Sequence, residues 1–341
     1  MMFLSSTALL LVSALLVTAQ PTETQPTYDI ASALAFAEEM GWDLGDVTSE
    51  DLSEETVPYT LPDGSSANGI LVTPINGATT GNLVVILADW DGVGSFEVAN
   101  AVRLAALGNA AFVADTYGSE QAQGEDAELS NEIKGSLAGS LKSNAENYRE
   151  IISSAIATAQ STEGTPYEDV AIFGYCLGGG GVMEYARNDP AKIEAEGVTL
   201  MVAFHPGATT STDDSSITTS SENGFMATLL LNQGTADAGA VSADQVESVK
   251  GELDGAESWL LSAATYYTGA LHGFTQPGAS YNEFAAEMSW ANAIYALGSG
   301  VEEDTEMVAS ETESVPTDAV VTPSADDETG ASDAVVSDVS M

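Results

Sequence analysis

Positive charge is scarce in this sequence. Its 341 residues include 7 Lys and Arg against 52 Asp and Glu, a formal net charge of −45. So acidic a chain repels phosphate backbones and anionic lipid head groups, which argues against nucleic acid and anionic membrane surfaces as partners. Self-repulsion of this size is tolerable where salt screens it, the Debye length being ~8 Å at physiological ionic strength. Cysteine is almost absent. The single Cys176 excludes an internal disulfide, so it is either a small buried apolar residue or a reactive thiol. Histidine occurs twice, at His205 and His272, so imidazole chemistry has two candidates. Long apolar runs are missing except for Phe3 to Val17. That stretch is short for a membrane span, which needs about 20 residues. It ends at Val17-Thr18-Ala19, a small-residue cleavage site before Gln20, and reads as an export signal over residues 1–19, although no Lys or Arg precedes it. A secreted protein without stable membrane insertion is expected.

What is present is enough apolar material, 44% of residues, for one sizeable core. Residues 20–57 read as a leader and a helix, with helical spacing from Ile30 to Trp42 and an acidic loop over 43–57. Val57 to Pro74 alternates as two strands around the turn signal Pro62-Asp63-Gly64. From Asn82 onward strand, loop and helix repeat. Leu83-Val84-Val85-Ile86-Leu87 is continuously apolar, as buried parallel strands are. Further strands are predicted over 110–114, 169–173, 198–204, 227–232 and 262–267, with helices over 95–107, 145–159, 177–187, 241–253 and 281–297. Residues 118–142 are polar and contain Gly and Ser, without a clear period. The alternation predicts an α/β domain over 58–300, a mainly parallel sheet with helices on both faces. Residues 301–341 are mostly Ser, Thr, Glu, Asp, Val and Ala, with no Lys, Arg or aromatic residue, and read as a disordered acidic tail.

The strongest chemical signal is Gly174-Tyr175-Cys176-Leu177-Gly178-Gly179, between a predicted strand and a predicted helix. That context suits a nucleophile elbow, the G-x-S-x-G turn with Cys in place of Ser. Small residues two before and two after the nucleophile let helix and strand approach closely. A helix N-terminus is expected to lower the thiol pKa and to offer N–H groups to an oxyanion. The other reading is a glycine-rich loop with a buried Cys. A thiol nucleophile needs a base, and chain order separates the histidines. In α/β hydrolases the order is nucleophile, acid, then His after the last strand. His272 fits this order and His205 does not. Asp237, in Gly234-Thr235-Ala236-Asp237 after a predicted strand, is the candidate acid, with Asp244 a competitor inside a predicted helix. Cys176, Asp237, His272 and the Asp89-Trp90-Asp91-Gly92 segment all follow predicted parallel strands, and ligands in such sheets bind beyond those ends.

These segments, with Ala114-Asp115-Thr116-Tyr117-Gly118 and His272-Gly273-Phe274, make the chain resemble the dienelactone hydrolase family from about residue 60 to 297. The resemblance implies an α/β-hydrolase fold and an ester or lactone substrate attacked by cysteine to give a thioacyl-enzyme. It carries the nucleophile to Cys176, the acid to Asp237 and the base to His272. It also implies an oxyanion hole from the backbone N–H groups of Leu177 and Trp90. Two departures stand out. The best-known members have a glutamate in contact with the resting thiol, and the resemblance implies that role for Asp89 here, one methylene shorter. They also clamp a substrate carboxylate with arginines, one of them shortly after the histidine, where this chain reads Phe274-Thr275-Gln276-Pro277.

The leading expectation is thus a secreted hydrolase of small esters or lactones, requiring no cofactor and no metal. The alternative is a non-catalytic acidic extracellular or cell-wall protein on a hydrolase fold. The sequence carries no signal of oligomeric state. Because the tail lacks aromatic residues and apolar period, deleting residues 301–341 should leave the melting temperature nearly unchanged in a thermal scan. A large fall would show that it packs on the domain.

Overall fold

In the computed structural model, the described residues are 28–298 without 122, 125–128, 163–166, 168, 208–210, 214, 219, 222, 238–242 and 257–258. The expected export signal and acidic tail lie outside them. Strand β3 (Asn82–Leu87) is buried along its whole length. Leu83, Val85 and Leu87 enter one apolar core, and Val84 and Ile86 enter another on the opposite face. A strand buried on both sides needs helices on both sides. Around it lie β1 (Leu52–Thr60), β2 (Ser66–Pro74), β4 (Ala110–Ala114), β5 (Asp169–Tyr175), β6 (Val198–Phe204), β7 (Ala227–Gly234) and β8 (Leu260–Tyr267). They form an eight-stranded sheet in the order β1-β2-β4-β3-β5-β6-β7-β8. β2 runs antiparallel to β1 and β4, and every other pairing is parallel.

Helices α1 (Ile30–Glu39), α2 (Ser95–Ala106) and α8 (Glu283–Leu297) supply the core on one face. The other face is covered by α3 (Asn131–Lys142), α4 (Ala145–Thr162), α5 (Leu177–Tyr185), α6 (Pro190–Ala195) and α7 (Ala243–Gly255). The expected mainly parallel, two-faced α/β architecture is what the chain adopts.

Three local expectations change. The acidic stretch 43–57 is not all loop, because β1 begins at Leu52. As an edge strand it buries Leu52, Val57 and Tyr59 and leaves most of the rest exposed, so its apolar signal is sparse. The expected domain start at residue 58 therefore cuts β1 in two. The preceding helix is not a detached leader either: Phe36 and Trp42 pack edge-on against Phe96 of α2, at centroid distances of 6.4 and 6.2 Å. Finally, the polar segment 118–142 contains α3, capped by Ser130, whose hydroxyl accepts from Ile133 N–H. Only Ala138 and Leu141 of α3 are buried, too few to show a period.

Arg103 ties the α1, α2 and α8 side together. Its guanidinium lies 4.8 Å from the Trp42 ring and 4.1 Å from the Trp290 ring, and pairs with Glu287 at 2.9 Å. Arg103 is nearly buried, while the Glu287 side chain is 45% exposed. The sandwich between two indoles therefore contributes more than the ion pair. Arg103→Ala should lower stability by about 2 kcal/mol through lost packing and cation–π contact. Glu287→Gln should cost less than about 1 kcal/mol. Urea unfolding of the two variants at a common m-value measures the difference.

Candidate active site

The site is built on one strained residue. β5 ends at Tyr175, α5 begins at Leu177, and Cys176 between them has φ 49° and ψ −107°. A side chain in such a conformation costs of order 1–3 kcal/mol and persists only where its surroundings over-determine it. Here Cys176 N–H donates to Phe204 O at 3.1 Å, while its carbonyl accepts from Gly180 N–H at 3.0 Å and Gly207 N–H at 2.5 Å. Two glycines permit the packing. A Cβ on Gly178 would sit 2.1 Å from Leu87 O, and one on Gly174 would sit 2.2 Å from Gly178 O. Only bare backbone lets α5 descend onto β3 and β5.

The thiol faces His272, on the loop after β8. Cys176 Sγ and His272 Nε2 are 3.0 Å apart. His272 Nδ1 lies 2.9 Å from Asp237 Oδ2, which also accepts from Gln233 Nε2 at 2.8 Å. A carboxylate on Nδ1 favours the tautomer with the proton there, leaving the Nε2 lone pair to the thiol. The structure thus brings together Cys176, Asp237 and His272 from three strand ends. Gln233 was not anticipated. Its signal in the sequence is weak: a polar pair, Asn232-Gln233, closing an apolar strand.

His205 stands behind this line rather than in it. It is fully buried, with Nε2 2.7 Å from Thr275 Oγ1 and its ring 5.3 Å from that of His272 in an edge-on arrangement. Burial pushes its pKa down to about 3, so the imidazole is neutral. Thr275 belongs to the His272 loop, so His205 anchors that loop.

Burial pushes the Cys176 thiol up to about 12. The Leu177 N–H and the charge of Lys142 pull the other way and are outweighed. The helix-terminal N–H thus lowers this pKa in the expected direction, but desolvation of the thiolate outweighs it. Asp89, implied as the thiol-contacting acid, acts on the thiol through its charge, which raises the thiol pKa after burial does. Its carboxyl accepts from Asp91 N–H at 2.9 Å and from Gln276 Nε2, with no hydrogen bond to the thiol. The side chain is one methylene shorter than glutamate, and Gln276 holds it. Burial, then the neighbouring Asp91, raise its pKa well above the carboxylate range. Burial opposes ionisation of Asp91 too, but hydrogen bonds with Asp89 and Lys134 hold its pKa below the usual value.

The thiol opens into a cavity of about 650 Å³. Trp90, Leu177, His272 and Gln276 line it together with Cys176, and α3 supplies one wall. Leu177, the first residue of α5, has an N–H without an intrahelical acceptor. The Trp90 carbonyl accepts from Tyr117 Oη at 3.0 Å, which steadies the peptides after β3. Among the described residues no three His, Cys, Asp or Glu side chains form a metal-binding group.

A doubly covered, mainly parallel sheet with a sharp strand-to-helix elbow after β5, a carboxylate after β7 and a histidine after β8 is the arrangement of an α/β hydrolase. The dienelactone hydrolase family model matches residues 68–300, and the chain belongs to that family. It is a hydrolase acting on ester bonds. Its fold is similar to that of a dienelactone hydrolase-like promiscuous phosphotriesterase from metagenomic libraries, with 21% identity, TM-score 0.58 and coverage of 71% of this chain and 95% of that one. It is likewise similar to m3DLH, with 21% identity, TM-score 0.60 and coverage of 73% and 98%. No curated protein sequence matches the chain significantly.

A thiol held neutral by burial should react with iodoacetamide faster as pH rises, by about tenfold per unit between about pH 7 and pH 9. Rates from intact-mass measurement check this. A plateau below about pH 8 would instead indicate a standing thiolate–imidazolium pair.

Proposed function

We propose that Cys176, His272 and Asp237 hydrolyse a small-molecule carboxylic ester or lactone through a thioacyl-enzyme. The observation that carries this reading is the continuous line from thiol to imidazole to carboxylate, with steps of 3.0 and 2.9 Å, on the wall of the cavity. Because the resting thiol is neutral, its proton passes to His272 Nε2 as sulfur bonds to the carbonyl carbon. Asp237 holds the imidazole and stabilises the imidazolium that forms. The N–H groups of Leu177 and Trp90 are the donors proposed for the tetrahedral oxyanion. Collapse breaks the carbon–oxygen bond, and the imidazolium gives its proton to the departing alkoxide. For a lactone that alkoxide stays tethered to the acyl group. Water then attacks the thioester and gives a proton to His272. The carbon–sulfur bond breaks, the proton returns to sulfur, and the acid leaves. The sum is ester plus water to acid plus alcohol.

On an activated aryl ester, Cys176→Ala or His272→Ala should each lower kcat/KM by about 10⁴-fold, and the double variant should lose little more. Asp237→Asn should cost less, because the acid orients the base and carries no proton in the chemistry. Turnover by Cys176→Ala equal to wild type would end the nucleophile assignment.

A further inference from the structure

The two edges of the sheet are finished differently. β1 closes one edge and carries Glu54, Glu55 and Pro58. Charge and proline on an edge strand keep another strand from pairing with it. β8 closes the other edge and contains no charged residue and no proline. Leu261 to Ala264 are exposed in succession, so the middle of β8 is bare on both faces. The outer N–H and C=O groups of β8 have no strand partner among the described residues.

Large apolar side chains gather at this same edge. Among the described residues nine are exposed, and six of them, Met226, Leu261, Tyr266, Phe284, Met288 and Tyr295, belong to β8, α8 or the residue before β7, with exposures of 43–75%. β7 pairs with β8, Ala227 opposite Leu260. α8 lies beside the end of β8, where Asn292 Nδ2 donates to Tyr267 Oη at 3.4 Å. Along α8, Phe284, Met288, Ala291 and Tyr295 fall at i, i+4, i+7 and i+11, one exposed stripe opposite the buried face that holds Trp290 and Ala293. A helix that is apolar on both sides is ordinarily a buried helix. The acids of α8 lie off the stripe: Glu287 pairs with Arg103, and Glu283 sits one turn before it. In a chain with a net charge of −45, none of the side chains on this face is charged.

We propose that the β8 edge and the α8 stripe form the two-fold interface of a homodimer, in which β8 pairs antiparallel with β8 of a second copy. A two-fold axis normal to the sheet brings an edge strand against its own copy in the antiparallel sense. The same axis keeps both α8 helices on one face of the joined sheet, flanking the seam. A two-fold contact sets each side chain near its own copy, so a charged face would repel itself. In so acidic a chain, an uncharged face is the one that can self-associate. A partner of other chemistry would meet the acidic surface through basic groups, and this face offers it no acid. Six large side chains exposed to this degree, with the strand edge, present an area on the order of the 800 Å² per partner that a standard interface buries. None of the six lines the Cys176 cavity, which therefore lies outside the interface.

The full chain is followed by sedimentation velocity from about 0.1 to 100 µM, with amide hydrogen exchange at both ends of that range. The mass should rise from one chain to two, and β8 amides should exchange more slowly at the high concentration. Combining Leu261→Glu with Tyr295→Glu sets like charges across the axis and should weaken dimerisation about 100-fold. Both side chains are exposed, so the melting temperature at low concentration should stay near wild type. Raising NaCl from about 0.05 to 0.5 M should tighten the dimer, because salt screens the repulsion between two acidic bodies. A chain that remains monomeric throughout, with β8 exchange independent of concentration, would overturn the proposal. So would a double variant that dimerises like wild type, or a dimer that salt loosens, since either places the contact on another surface. A monomer whose β8 amides are protected at every dilution would show that another segment of the chain covers this face, and would overturn it too.

Discussion

The contact between backbone and backbone at Gly178 and Leu87 is the constraint on which the rest of the site depends. α5 approaches β3 so closely that a single added carbon would lie 2.1 Å from the Leu87 carbonyl oxygen. That approach bends the chain between β5 and α5 within one residue and forces Cys176 into a positive φ. The strain is balanced by hydrogen bonds from both neighbours of the elbow, β6 through Phe204 and the following loop through Gly207. The same geometry lifts the sulfur out of the sheet edge and leaves the Leu177 N–H beside it. The thiol, the adjacent N–H and their place at the cavity wall thus follow from one close packing.

Desolvation sets the chemistry that this geometry can run. It disfavours the charged forms of the Cys176 thiol, Asp89 and His205, each against a different opposing influence. In the proposed mechanism a neutral thiol makes His272 a base during attack rather than one half of a resting ion pair. With His205 neutral, the edge-on neighbour of His272 adds no positive charge to compete with the imidazolium. Asp89 is withdrawn from the thiol into a pair with Asp91 and Gln276, so no ionised carboxylate hydrogen-bonds to the sulfur.

The line from Cys176 through His272 to Asp237 is held from behind by further side chains. Gln233 fixes Asp237, Thr275 and His205 fix the loop of His272, and Tyr117 fixes the carbonyl of Trp90. Each support crosses between segments far apart in the chain. Positions within a few tenths of an ångström matter for proton transfer, and such cross-links supply that precision.

Much of this was legible in the sequence. The continuous apolar run Leu83 to Leu87 determined a doubly buried strand, because no other environment suits five successive apolar side chains of that length. The glycines around Cys176 marked an elbow, because only glycine permits the approach found there. Chain order picked His272 over His205, since parallel strands deliver their following loops to one edge. The sequence could not show β1 before residue 57, because an edge strand needs few apolar positions, nor α3, which buries two residues. Nor could it show how far burial outweighs the helix terminus at the thiol, or that Gln276 holds Asp89, because both depend on what surrounds a group in three dimensions. Local pattern determines which element forms and where its chain direction leads. Burial and partner choice belong to the tertiary structure alone, because charge and solvation are settled by neighbours that are distant in sequence.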